Sequence, residues 1–260
     1  MAKPVIGAQL YTLREFMKTP DDIAASLKKV HDIGFKTVQV SGIGPIDWEH
    51  ELAGLLREND LRCVATHVPL DRMLHDTDRL VAEHKAIGSP IMGVGMMPKE
   101  YWSEEGCIEF TKVLNEIGRR IAPAGMKVSY HNHNLEFIRT HDGKKNYMDL
   151  MIEGANPEHV EFILDTYWIA AGGANPTDYI EKAKGMNHVL HFKDMALDPE
   201  TRAPIMTECG TGNINFRAVI DVCERLGVPD ALIEQDIVRI DPFESLAISY
   251  KNLMDIENAR

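Results

Sequence analysis

The sequence contains no apolar run approaching the ~20 residues that a membrane-spanning helix needs. Its opening, Met-Ala-Lys-Pro, leads straight into a strand-like run without the charged, apolar and small-residue regions of a signal peptide. A cytoplasmic protein with no membrane partner is expected. Cysteine is sparse: Cys63, Cys107, Cys209 and Cys223 stand far apart with no CxxC pair, which excludes a zinc ribbon or a disulfide framework and reads as reduced core thiols. Positive charge is also short. The formal net charge is -12, whereas binding a phosphate backbone relies on clustered Lys and Arg, so no nucleic-acid partner is expected. No linker, low-complexity tract or internal repeat divides the 260 residues, a length close to the ~250 of a one-domain α/β barrel. Residues 1–260 are read as one domain.

What is present is a rhythm. Short apolar or β-branched runs alternate with longer amphipathic segments, the pattern of a parallel sheet. The strand candidates are Val5 to Tyr11, Thr37 to Ser41, Arg62 to His67, Pro90 to Met96, Lys127 to His133, Glu161 to Thr166, His188 to Lys193 and Ala231 to Asp236. Eight such strands close a barrel, so the fold class expected is α/β, a (β/α)₈ TIM barrel. The helices between them have readable ends. Thr19 precedes Pro20, Asp21 and Asp22, and Gly34 follows Ile23 to Ile33; Pro176 and Asp241-Pro242 open later helices, and Gly125 and Gly227 close two. A doubly wound open sheet would share the alternation, but it would normally carry a Gly-rich fingerprint after its first strand. That loop here reads Gly7-Ala8-Gln9-Leu10-Tyr11-Thr12-Leu13-Arg14.

In such a barrel, catalytic groups sit at the C-terminal strand ends, and side chains two apart on a strand face the same side. Four successive strands end in candidate ligands: His131 (with His133), Asp165, His191 (with Lys193) and Glu234. The residues two positions earlier, Ser129, Ile163, Val189 and Leu232, are small or apolar, consistent with an inward parity. Two neutral imidazoles and two carboxylates would leave a charge near -2, which one divalent ion would balance. Mixed nitrogen and oxygen ligation favours manganese, iron, cobalt or zinc over magnesium or calcium, and manganese is the ion expected. His31, His50, His75, His84, His141 and His159 fall on helices or outer loops and are read as solvated surface. Gly210-Thr211-Gly212 is read as a tight turn into a helix near Asn215 rather than a phosphate loop.

The sequence resembles the xylose isomerase-like TIM barrel superfamily, which holds sugar phosphate isomerases and epimerases, inosose dehydratases and an endonuclease branch. The resemblance is carried by Ile6-Gly7-Ala8-Gln9-Leu10-Tyr11-Thr12-Leu13-Arg14, by Tyr130-His131-Asn132-His133-Asn134-Leu135-Glu136-Phe137, by His191-Phe192-Lys193-Asp194 with Glu208-Cys209-Gly210-Thr211-Gly212-Asn213-Ile214-Asn215-Phe216, and by Ile233-Glu234-Gln235-Asp236. It implies that Asp165, His191 and Glu234 are metal ligands. His131 stands where the family's isomerases and epimerases usually place a glutamate, which keeps a ligand but removes one of their two acid/base carboxylates.

The function expected from the resemblance and the residues together is a metal-dependent sugar isomerase or epimerase working through proton abstraction alpha to a carbonyl. The alternative is a lyase on the same site, acting as an inosose dehydratase or on a keto-glycoside. Glu234 is the candidate base, His133 or His131 its proton-handling partner, and Lys193 the group that holds a developing oxyanion. Gln9, Tyr11, His67, Tyr167 and Trp168 are candidate substrate-facing residues. A phosphorylated substrate would have only Lys193 and Arg14 to grip it. The partner expected is a small sugar or keto-sugar. Apolar residues near Trp102 or Met96 to Pro98 could close over a neighbour's mouth in a homo-oligomer. An endonuclease would need more ligands on the second to fourth strands than Gln39 and His67 supply, and a basic groove.

Overall fold

The computed structural model describes residues 2–259. Ten strands run in chain order: β1 (Val5–Gln9), β2 (Thr37–Val40), β3 (Arg62–His67), β4 (Ile91–Val94), β5 (Lys127–His131), β6 (Val160–Asp165), β7 (Val189–Phe192), β8 (Asp194–Leu197), β9 (Pro204–Thr207) and β10 (Asp230–Ile233). Eight of them close a parallel barrel in the order β1-β10-β7-β6-β5-β4-β3-β2. Closure is made by β1 on β10, with Val5 opposite Asp230 and Ala8 opposite Ile233. The alternation read from the sequence is therefore a (β/α)₈ barrel, and each expected strand is present, with the ends of most drawn in by one to three residues.

Local chemistry explains why the helices start and stop where they do. In the helix Pro20–Ile33, Thr19 and Asp22 form a reciprocal capping box, Pro20 occupies the first turn, and Gly34 ends the helix at φ 118°. Its buried face, Ile23, Ser26, Leu27 and Val30, recurs at helical spacing and packs on the barrel. Among the described residues, no helix is long and apolar enough to cross a membrane. All four cysteines are buried and unpaired.

The inward parity expected at the strand ends also holds. Ile163, Val189 and Leu232 join Val64, Ala65 and Ile91 in a small apolar cluster distinct from the main core between strands and helices. This cluster fills the barrel interior beneath the strand ends, so the next inward residues along β6, β7 and β10 are carried to its mouth.

Three features depart from the sequence reading. β8 and β9 form an antiparallel hairpin outside the barrel, pairing Asp194 with Thr207 and Leu197 with Pro204. His84 is not solvated surface: it is fully buried, with Nε2 2.7 Å from Thr66 Oγ1 and Nδ1 2.7 Å from Leu80 O. Its helix turns this face onto β3, and burial holds the ring's pKa down to about 4. His50, His75 and His141 are exposed as expected, whereas His31 and His159 are half-buried.

Candidate metal centre

One group of four side chains meets the requirements of a cation site. His131, Asp165, His191 and Glu234 come from the C-terminal ends of β5, β6, β7 and β10, all buried, each offering a ligand atom within 4.8 Å of the others. The oxygens Asp165 Oδ2 and Glu234 Oε2 are the focus. His131 Nε2 lies 3.2 Å from Asp165 Oδ2 and 3.9 Å from Glu234 Oε2. His191 Nδ1 lies 2.8 Å from Glu234 Oε2 and 3.9 Å from Asp165 Oδ2.

The second nitrogen of each ring shows which face is offered to the centre. His191 Nε2 is 2.6 Å from Gln39 Oε1, and His131 Nδ1 is 3.2 Å from the Gly95 carbonyl. Both oxygens can only accept, so these nitrogens carry hydrogens and turn His191 Nδ1 and His131 Nε2 toward the carboxylates, where His131 Nε2 meets Asp165 at 3.2 Å. The 2.8 Å contact between His191 Nδ1 and Glu234 Oε2 lacks hydrogen-bond alignment, leaving both atoms buried without a hydrogen-bond partner. A ring nitrogen and a carboxylate oxygen that face each other at 2.8 Å without a hydrogen bond are reconciled by a cation between them. β2 changes register on β3 between Val38 and Gln39. Such an irregularity re-aims a side chain, and Gln39 is the one that reaches His191.

Two further charges complete the centre. Lys193 Nζ, fully buried, lies 3.0 Å from Asp165 Oδ2, 3.0 Å from Glu234 Oε2 and 2.8 Å from Asp236 Oδ2. Three carboxylates against one ammonium leave two negative charges, the complement of a divalent ion. Burial disfavours each of these charged forms. The surrounding carboxylates, Asp165 foremost, nevertheless hold the Lys193 pKa above its ordinary value, and Lys193 in turn keeps Glu234 well below the usual carboxylate range. Burial likewise opposes the His131 imidazolium, but the hydrogen bond to Asp165 and the charge of Glu234 outweigh it and raise its pKa. The donor set therefore fits a divalent ion bound through His131 Nε2, Asp165 Oδ2, His191 Nδ1 and Glu234 Oε2.

Above the centre lies a cleft of about 280 Å³ lined by Tyr11, Ser41, His67, Gly95, Met96, His131, His133, Glu234 and Asp236. His67 and His133 each bring a buried nitrogen with no partner, Nε2 and Nδ1 respectively. Burial, reinforced by the neighbouring histidines, pushes the His133 pKa down to about 3 and that of His67 well below 6.5, so both rings are neutral. His133 stands edge-on to His131 and against Trp168. Its backbone N–H donates to Glu136 Oε2 at 2.8 Å, while the Tyr130 hydroxyl donates to the other Glu136 oxygen.

Of the five expected substrate-facing residues, Tyr11 and His67 line this cleft. Gln9 is fully buried behind the centre, its amide donating to Glu234 Oε1 at 3.2 Å. Trp168 packs between His133 and Lys193, and Tyr167 lies edge-on to Trp168. Met96 and Trp102 are exposed, while Met97 is buried. Gly210-Thr211-Gly212 is a turn that wraps the protein's own carboxylate: Asp194 accepts from the N–H groups of Gly210, Gly212 and Ile214 at 2.9, 2.9 and 3.1 Å. Arg14 stacks 4.4 Å from the Tyr11 ring and donates to the Asp236 carbonyl.

The chain belongs to the xylose isomerase-like TIM barrel family, whose model matches residues 27–236. A sugar phosphate isomerase/epimerase from Parabacteroides distasonis superposes with a TM-score of 0.80 at 20% identity, covering 98% of this chain and 96% of that one. A xylose isomerase-like TIM barrel protein from Mycobacterium smegmatis, solved with magnesium, has a TM-score of 0.73 at 16% identity over 99% and 97% of the two chains. The chain is also 25% identical over 162 residues to an inosose dehydratase from Clostridium tetani, covering 56% of this chain and 53% of that protein. It thus spans about half the length of the curated relatives it matches.

Proposed function

We propose that this protein is a divalent-metal-dependent lyase that removes the proton alpha to the carbonyl of a keto-sugar and then expels a beta substituent. The observation that carries this reading is the pairing of a four-donor centre with two neutral, partly unpartnered imidazoles, His67 and His133, in one cleft. A divalent ion in the centre would supply Lewis-acid stabilisation of the enolate oxygen. Two imidazoles and two carboxylates suit manganese, iron, cobalt or zinc, and manganese is the ion we propose.

Glu234 is the base. It faces the cleft and stays ionised because Lys193 offsets the cost of its burial, and its carboxylate takes the alpha proton. The C–H electron pair becomes the enolate, and Lys193, bridging Asp165, Glu234 and Asp236, holds positive charge beside it. The enolate pair then forms the carbon–carbon double bond as the bond to the beta oxygen breaks, and that oxygen leaves with the proton taken up by Glu234, relayed through a neutral imidazole, His67 or His133, that accepts it at one nitrogen as it donates from the other. The two carboxylates lining the cleft, Glu234 and Asp236, are both tied to Lys193. A carboxylate pair free to act on opposite faces of a sugar, as a symmetric epimerase would use, is therefore missing among the described residues. The dehydratase name of the Clostridium tetani relative points the same way.

The second reading, a sugar isomerase or epimerase, uses the same enolate and differs in returning the proton to carbon. It is favoured by the name of the Parabacteroides distasonis neighbour. Incubating the manganese-loaded protein with keto-sugars and keto-glycosides in deuterated water separates the two. Release of water or alcohol with the ultraviolet absorbance of a conjugated ketone is expected; deuterium uptake without elimination would replace the lyase with the isomerase.

A further inference from the structure

The loops after β2 and β3 enclose a second cleft of about 440 Å³, whose walls include Ile43, Ile46, Trp48, Val68, Pro69 and Arg72. Ser41 and His67 line both this space and the 280 Å³ cleft above the metal ligands, so the two meet at those side chains. The smaller cleft alone lies just below the ~300–1,000 Å³ usual for ligand sites.

The chemistry of the two spaces differs sharply. The inner cleft is lined by histidines and carboxylates, whereas the outer one contains no Asp, Glu, Asn or Gln side chain, the groups best suited to hold sugar hydroxyls. Its one charged residue is already engaged: the Arg72 guanidinium lies 2.8 Å from Asp76 and 3.1 Å from each Glu83 oxygen, which leaves no free cation for a phosphate. Away from Ser41 and His67 at the junction, the side chains that line it are aliphatic, proline and indole, with glycine backbone at positions 42 and 44.

The outer cleft is also built rather than loose. Gly44 N–H donates to the Met17 carbonyl at 2.6 Å, and a Cβ at Gly44 would fall 2.1 Å from the Lys18 carbonyl oxygen. Only glycine lets the loop lie that close. Asp47 accepts from the N–H groups of Glu49 and His50, and the Trp48 ring packs 5.7 Å from that of His84.

We propose that the outer cleft is a leaving-group subsite and that the substrate is a keto-sugar glycosidically linked to an apolar, aromatic alcohol. The proposal rests on the lyase reading above. The reaction is the same elimination with the aglycone alcohol in place of water: keto-glycoside gives unsaturated keto-sugar plus alcohol, with no oxidant or co-reactant. With the sugar ring against the metal ligands, the beta oxygen falls near His67, where the two clefts meet, and the aglycone lies against Trp48, Ile43 and Ile46.

The test uses ligands that cannot react, so that its failure is distinct from failure of the lyase reading. Binding of phenyl glucoside, methyl glucoside (both anomers of each) and cellobiose to the manganese-loaded protein is measured by calorimetry. Phenyl glucoside is expected to bind at least ~10-fold tighter than the other two, as burial of an aryl group on an apolar wall requires. Trp48→Ala and Ile43→Asp should each bring phenyl glucoside down to the affinity of methyl glucoside without changing the latter, the second variant guarding against misfolding of the first. Equal affinity for the phenyl and methyl compounds, cellobiose binding as tightly as phenyl glucoside, or an aryl preference that survives both substitutions would overturn the proposal.

Discussion

The two ends of this barrel both bury acids, and they treat them in opposite ways. At the N-terminal end, Asp230 is paired with Arg62 at 2.7 Å, and Glu161 with Lys127 at 3.0 Å and His188 at 2.6 Å. Each acid there has a cation of its own from a neighbouring segment, and the cations reach out toward solvent. At the C-terminal end, Asp165, Glu234 and Asp236 share a single ammonium, Lys193, and His191 Nδ1 points at Glu234 Oε2 without hydrogen-bond alignment. Buried charge with matched partners is compatible with a structural role, whereas buried charge left unmatched is costly. The contrast supports placing the proposed centre at the mouth without appeal to any relative.

The largest effect that would break this contrast comes from Glu234→Gln. If Glu234 is base and ligand, turnover should fall by ~10³-fold, within the range of a lost general base, and the rise in Tm on adding manganese should disappear because mass-action stabilisation requires the bound state. The metal-free variant should be no less stable than the parent, since one of three crowded carboxylates is gone. A Tm several degrees lower with manganese binding intact would make Glu234 a structural acid like those at the other end.

How much of this was legible in the sequence follows from which features side-chain periodicity encodes. Inward parity on a strand is a period of two, so Ile163 and Asp165, Val189 and His191, and Leu232 and Glu234 announce their shared side in the bare sequence. His84 could have been read correctly: Leu80, His84 and Ile87 recur at the spacing of one buried helix face. Gln39 could not, because its aim depends on a register irregularity against β3, which single-strand patterning does not contain. The Gly95 carbonyl that fixes the His131 tautomer is backbone, for which no residue type signals. The β8–β9 hairpin escaped notice because both strands are short and Pro204 opens one of them.

Gln39 gives the next, smaller test. Its side-chain oxygen accepts from His191 Nε2–H, which turns Nδ1 toward the carboxylates. Gln39→Ala should weaken manganese binding by ~10–100-fold, as the loss of a second partner of a metal-bound histidine does. Turnover at saturating manganese should change far less. Unaltered affinity in a manganese titration would mean that packing alone orients the His191 ring.

The smallest effect belongs to the paired end, and its sign can be worked out. Glu161 raises the His188 pKa above 6.5 through their hydrogen bond, while burial and Lys127 oppose the shift. Burial would raise Glu161, but His188 and Lys127 together hold it below 4.5. A raised histidine contributes stability that is full below its ordinary value and is lost as pH climbs through the folded value; a depressed carboxylate contributes stability that is full above its ordinary value and is lost as pH falls through the folded one. The pair therefore stabilises most between 4.5 and 6.5. His188→Gln should lower Tm most within that window and progressively less as pH rises beyond it, with turnover untouched because the pair lies at the opposite end from the cleft. Lys127 still faces Glu161 in the variant, so the deficit should be modest. A pH-independent deficit would assign His188 to packing rather than charge, and a change in turnover would mean that the two ends are not separate after all.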